Sequence, residues 1–192
     1  LAFVADEGGW WNWRVEEAVT QEAAVDCAPP TWVLNPAVAA GLPDGRIATV
    51  VYREGRGELG LWSPATGALD LPLPGTADIE SLAASGDRLY AVAQWPDRDA
   101  TLVRVPLPRE PGDAARLDAP ETAAVVLVGP TDGDPDAALP EAVWAEGAAG
   151  PVHSWLYRPA ADDPPLIVLT HGGPTSMARC LYDRAVQFWV SR

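Results

Sequence analysis

The chain has 192 residues, enough for one domain or parts of two, and its 48% hydrophobic and 21% charged residues are those of a folded protein. A net charge of -14, from 27 Asp and Glu against 13 basic residues that are all Arg, excludes nucleic acid as a partner, because phosphate binding needs concentrated positive charge. No apolar run approaches the roughly 20 residues of a membrane-spanning helix, so that class is excluded too.

From its start the chain repeats. Leu1 to Val4, Ile47 to Val50 and Leu89 to Val92 are short apolar strands offset by 46 and then 42 residues, the second and third following the polar turns Pro43-Asp44-Gly45-Arg46 and Gly86-Asp87-Arg88. Each is answered 12 or 13 positions later by another strand, around Trp13 to Val15, Leu59 to Trp62 and Leu102 to Val105. Short strands and polar turns at a period of about 40 to 46 residues mark propeller blades, four-stranded sheets whose apolar faces only neighbouring blades can bury. A plain antiparallel sandwich is the competing architecture. Trp10, Trp11, Trp13, Trp32, Trp62 and Trp95 read as blade packing in preference to a ligand cage. About three blades fit into residues 1–139, too few to close a ring, so this region is expected to be a partial β-propeller.

Pro106 to Pro120 and Gly129 to Pro140 read as inter-blade loops or linker on either side of an apolar strand, Ala123 to Val128. Glu141 to Trp144 and Val152 to Tyr157 predict a hairpin across Gly147 to Gly150 that opens a second domain, residues 140–192. Its next element is a buried-strand pattern, Leu166 to Thr170, running straight into His171-Gly172-Gly173-Pro174. Leu181, Ala185, Phe188 and Trp189 then recur at i, i+4, i+7 and i+8, predicting a helix with one apolar face and with Arg184 and Gln187 outside. Strand, glycine turn and helix are the opening of an α/β layer, and the chain is expected to stop where the next strand would follow.

Paired glycines after a strand let the backbone turn tightly and leave an amide facing a substrate, the arrangement that stabilises an oxyanion in acyl transfer. A simple tight loop closed by Pro174 is the plainer reading of the same letters. Zinc is not expected, since His153 and His171 lack a third ligand at a recognisable spacing, and no other metal or cofactor is implied. The glycines lack the Lys-Ser or Lys-Thr of a phosphate loop. Ser154, Ser176 and Ser191 do not sit in G-x-S-x-G, His153 reads as a packed or surface residue, and Asp183 reads as a solvated acid on the polar side of the last helix. A nucleophile, acid and base are therefore not expected in this chain. Cys27 and Cys180 form no metal-like spacing; a reducing, cytoplasmic setting fits them, with a single disulfide left open. No secretory presequence is visible, and Leu1 falls inside a predicted strand, so the native N-terminus is expected to lie upstream.

The run Pro165 to Thr175, containing His171-Gly172-Gly173-Pro174, followed by Val186-Gln187-Phe188-Trp189-Val190-Ser191-Arg192, resembles the start of the catalytic domain in the prolyl oligopeptidase family of serine peptidases, in its acylaminoacyl-peptidase and dipeptidyl-peptidase branch. Val152 to Tyr157 resembles the strand that precedes it, with Ser154 where a glycine is common. The resemblance implies a partial β-propeller followed by the beginning of an α/β-hydrolase domain. It implies a serine hydrolase whose complete form cleaves short or N-acylated peptides, the propeller restricting access. Carried over by position, Gly173 supplies an oxyanion amide, Gly172 and Pro174 shape the turn, and His171 helps hold the loop. The family's nucleophile, Asp and His lie beyond the last helix, so this chain alone is expected to be inactive. The alternative is a non-catalytic propeller that serves as a binding or interaction protein, and homo-oligomerisation is left open.

Overall fold

The computed structural model describes residues 1–16, 24–29, 37–107, 124–161, 163–173 and 176–192; Trp32, Pro174 and most of the 106–120 link lie outside them. The first described element is a hairpin of β1 (Ala2–Ala5) and β2 (Asn12–Val15), paired from Ala2 opposite Val15 to Ala5 opposite Asn12. Next comes a four-stranded antiparallel meander of β3 (Ala39–Gly41), β4 (Ile47–Arg53), β5 (Arg56–Trp62) and β6 (Leu69–Leu73), adjacent in chain order. A second such sheet contains β7 (Asp78–Ser85), β8 (Arg88–Gln94), β9 (Thr101–Pro106) and β10 (Val125–Val128), also in chain order. The regions expected to form the second and third blades are thus four-stranded antiparallel sheets, and β1 and β2 are the described strands of the region expected to form the first.

Local chemistry explains the tight connections. Between β4 and β5 the turn residues Glu54 and Gly55 both have positive φ, 49° and 72°, as a two-residue hairpin turn requires to match the twist of its strands. The β7 to β8 turn places Gly86, at φ 61°, directly after Ser85, which pairs with Arg88.

The two sheets share one core. Val50, Leu59 and Leu61 of the first meet Ile79, Leu89 and Val103 of the second, each at most 1% exposed, and β7 lies against β3, β4 and β5. In β8 and β9 burial alternates strictly, as it does in a sheet with one covered face. In β4 and β5, by contrast, runs of consecutive residues are buried, because the other face of that sheet is also covered. There Trp13 stacks on Trp62 at 6.1 Å and donates its indole N–H to Thr49 Oγ1 at 3.1 Å, while Thr49 donates to the Cys27 carbonyl at 2.6 Å. The packing role expected for Trp13 and Trp62 is what the structure shows.

The hairpin forms as expected, with β11 (Glu141–Gly147) and β12 (Gly150–Leu156) in register from Glu141 opposite Leu156 to Gly147 opposite Gly150. The strand expected at 166–170 does not. Leu166, Val168 and Leu169 are each more than 70% exposed, and the segment joins none of the described sheets. An interior strand is made by neighbours on both edges, and none of the described strands lies beside this run. The helix α1 (Arg184–Val190) is present, but the apolar face expected inside is not covered: Phe188 and Trp189 are exposed, while Arg184 is exposed as expected and Gln187 is half-buried against Ala138. No helix among the described residues is long and apolar enough to cross a membrane.

Candidate functional site: the glycine turn and the segment that anchors it

The exposed run 166–170 delivers the chain to His171, Gly172 and Gly173, all of them exposed. Gly173 has φ 74°, a conformation that an L side chain adopts only at a cost, so a glycine at this position has a backbone reason. No atom would lie within 4 Å of a Cβ added at Gly172 or Gly173, so the turn faces open space. Among the described residues the His171 ring makes no hydrogen bond. Pro174 lies outside the described residues, so its loop-shaping part is not seen.

Beyond the turn, residues 178–184 meet the β4 to β5 hairpin, the start of β7 and the link between β8 and β9. Arg179 donates to Asp78, the first residue of β7, whose side chain is 4% exposed against 45% for the arginine. Cys180, fully buried, follows. The Tyr182 amide donates to the Trp95 carbonyl at 2.8 Å, just past β8, and the Tyr182 hydroxyl donates to Asp134 Oδ2 at 2.7 Å. Arg184 reaches Asp99 at 2.5 Å. Gln187 clamps the backbone of Ala138, accepting from its N–H at 2.8 Å and donating to its carbonyl at 3.0 Å. Asp183, expected to be merely solvated, is the N-cap of α1, its Oδ1 accepting from the amides of Ala185 at 2.7 Å and Val186 at 3.4 Å.

Two glycines of the β4 and β5 hairpin make room for this docking. A Cβ at Gly55 would stand 2.8 Å from Trp155 Nε1 and 2.9 Å from the Ala178 carbonyl, two atoms that themselves share a hydrogen bond of 3.1 Å. A Cβ at Gly57 would overlap Asp78 Oδ1. Arg56, between them, places its guanidinium 5.0 Å from the Trp155 ring centre, a cation–π contact.

Electrostatics follow burial. Burial pushes the Asp78 carboxyl above the usual carboxylate range, against the downward pull of Arg179. Burial, and secondarily the Asp78 charge, push the Tyr52 phenol up. The Cys180 thiol is raised mainly by burial, and the Tyr157 phenol goes to about 12 for the same first reason. A raised thiol pKa makes Cys180 a poor nucleophile. His153 sits edge-on between Trp144 and Trp155, at 4.9 and 4.8 Å, which is packing. Ser191 donates its hydroxyl to the Phe188 carbonyl at 3.1 Å, and no serine among the described residues is hydrogen-bonded to a histidine. No group of three His, Cys, Asp or Glu among the described residues is placed to hold a metal ion.

Sequence reasoning found the glycine turn and missed its anchors. Asp78 and Arg179 are 101 positions apart, and neither carries a local pattern.

No family model matches the chain, and no curated protein matches it. Solved structures do. A puromycin hydrolase superimposes with a TM-score of 0.77 at 24% identity over 99% of this chain and 30% of that one, and a mutant puromycin hydrolase complexed with PGG gives the same values. A puromycin-hydrolyzing peptidase of Mycobacterium tuberculosis superimposes with a TM-score of 0.74 at 25% identity over 100% of this chain and 30% of its own. The chain therefore shares their fold at low identity and spans less than a third of their length.

Proposed function

We propose that this chain is a portion of a serine peptidase of the prolyl oligopeptidase family, comprising part of the β-propeller (residues 1–139) and the beginning of the α/β-hydrolase domain (residues 140–192). The observation that carries the reading is the likeness in fold to hydrolases over essentially the whole chain, with His171-Gly172-Gly173 at an open turn. The complete protein hydrolyses short or N-acylated peptides, and these 192 residues alone do not, since the attacking serine and its acid and base lie elsewhere. In that protein the serine oxygen adds to the scissile carbonyl carbon as its proton passes to the histidine base, and the Gly173 amide donates to the carbonyl oxygen as it gains negative charge. Such a donor acts mainly in the transition state. The exposed run 166–169 is an interior strand of the hydrolase sheet, and Phe188 and Trp189 pack against that sheet; this accounts for two apolar surfaces left open among the described residues.

The test is Gly173→Val in the complete protein. A side chain at this positive φ costs about 1–2 kcal/mol, and folding of the variant is checked by circular dichroism and melting. Turnover of a short chromogenic peptide is expected to fall by about 100 to 1,000-fold with little change in KM, the loss of one oxyanion donor. Near-parental kcat in a folded variant would remove Gly173 from the site.

A further inference from the structure

Arg179 is separated from Gly173 by five residues, and it is where the segment leaving the turn is pinned to the blades. Its partner Asp78 is buried at the mouth of β7, also accepts from the Ile79 amide at 2.8 Å, and occupies the space that a side chain on Gly57 would fill. One position earlier, the Ala178 carbonyl is held by Trp155 in the space kept free by Gly55. One position later, Cys180 is 0% exposed. Two successive residues of an otherwise exposed stretch are thus held at one hairpin by an indole and a buried carboxylate, and the third is buried. A polypeptide leaving an open turn has large conformational freedom to lose, and contacts this close to the turn restrict it most.

We infer that Arg179 is a positioning residue for the Gly172-Gly173 turn, its ion pair with Asp78 locking the segment that follows the turn onto the blades. The inference rests on the reading of Gly173 as an oxyanion donor, because it gives the anchor its purpose: a donor aimed about 1 Å wide of the developing charge loses most of its effect. Arginine suits the task, since its planar, permanently charged fork stays paired where a lysine would keep more of its hydration.

The chain carries its own reporter. Cys180 stands next to Arg179, and Cys27, 2% exposed, is held in a different place, its N–H donating to the Trp11 carbonyl and its carbonyl accepting from the Thr49 hydroxyl. The complete protein is treated with iodoacetamide, and alkylation of the two cysteines is followed by peptide mass spectrometry in the parent, Asp78→Asn, Arg179→Met and Arg179→Lys. Asp78→Asn removes a buried charge, so it guards against a result that reflects only the carboxylate left behind in Arg179→Met. In Asp78→Asn and Arg179→Met, Cys180 is expected to react at least about tenfold faster while Cys27 keeps its parental rate. On a short peptide substrate kcat falls between about tenfold and a hundredfold with KM nearly unchanged, and Arg179→Lys lies between these variants and the parent. Parental protection of Cys180 in both variants, or equal acceleration of Cys27, overturns the anchor. Fast Cys180 alkylation with parental kcat overturns the positioning role. Failure of the underlying reading looks different, because Gly173→Val then keeps its kcat whatever Cys180 does.

Discussion

Gly57 and Gly55 sit two residues apart in one hairpin and are needed for different reasons. Gly55 completes a turn with φ 72°, whereas Gly57 is needed for the space that Asp78 fills. Gly57→Ala is expected to displace the Asp78 carboxylate, cost about 1–3 kcal/mol as overpacking and accelerate Cys180 alkylation; a parental melting temperature together with parental Cys180 protection would show the space to be empty. Charge at this scale has a sign that can be worked out. The Arg46 guanidinium, bonded to Asp44 at 2.8 and 2.6 Å, holds that carboxyl below its usual range, so the pair's stabilisation is present above the ordinary carboxylate pKa and is lost as pH falls through the lowered value. The melting temperature of the parent should exceed that of Asp44→Asn at neutral pH, with the gap closing in acid; a gap independent of pH contradicts this. Asp78 runs the other way. Its raised value means that the ionised form costs the fold stability as pH rises through that value, so Asp78→Asn should melt no lower than the parent at neutral pH, and a clear drop in melting temperature contradicts this. Of these residues, Gly173 was legible in sequence because its neighbours form a motif, whereas Gly57, Asp78 and Arg179 acquire meaning only when segments distant in sequence, 101 positions for Asp78 and Arg179, are brought together.

Elements were legible where their partners are near in sequence. The β11 and β12 hairpin and the meander strands carry both their pattern and their pairing within a few tens of residues. The segment 166–170 has the composition of an interior strand but lies outside every described sheet, so its pattern is visible and its ladder is not. For α1, periodicity located the helix and misjudged its docking, since Phe188 and Trp189 are exposed and its contacts to other elements are the polar bonds of Arg184 to Asp99 and of Gln187 to Ala138. A seven-residue helix has little intrinsic stability, which makes the Asp183 cap matter. Asp183→Ala should cost the helix about 1 kcal/mol and hasten hydrogen exchange at the Ala185 and Val186 amides, with little effect on global melting. Exchange unchanged at those amides would mean that the cap bonds contribute nothing.

At the scale of the whole molecule, the two four-stranded sheets share a core while the 166–169 run and the Phe188 and Trp189 face present apolar surface. The 192-residue polypeptide by itself is therefore expected to self-associate, its charge of -14 opposing precipitation but not contact between these faces. Sedimentation should show association weakening in a Val168→Lys, Trp189→Lys variant, and a monomeric parent would contradict it. The central claim, that the chain belongs to a serine peptidase, is tested most directly by treating the complete protein with a fluorophosphonate probe, in which an activated serine oxygen displaces fluoride from phosphorus. The expected result is one covalent adduct, on a serine within a G-x-S-x-G sequence C-terminal to Arg192, formed in the folded protein and lost on prior denaturation. A folded complete protein that takes up no probe would contradict it.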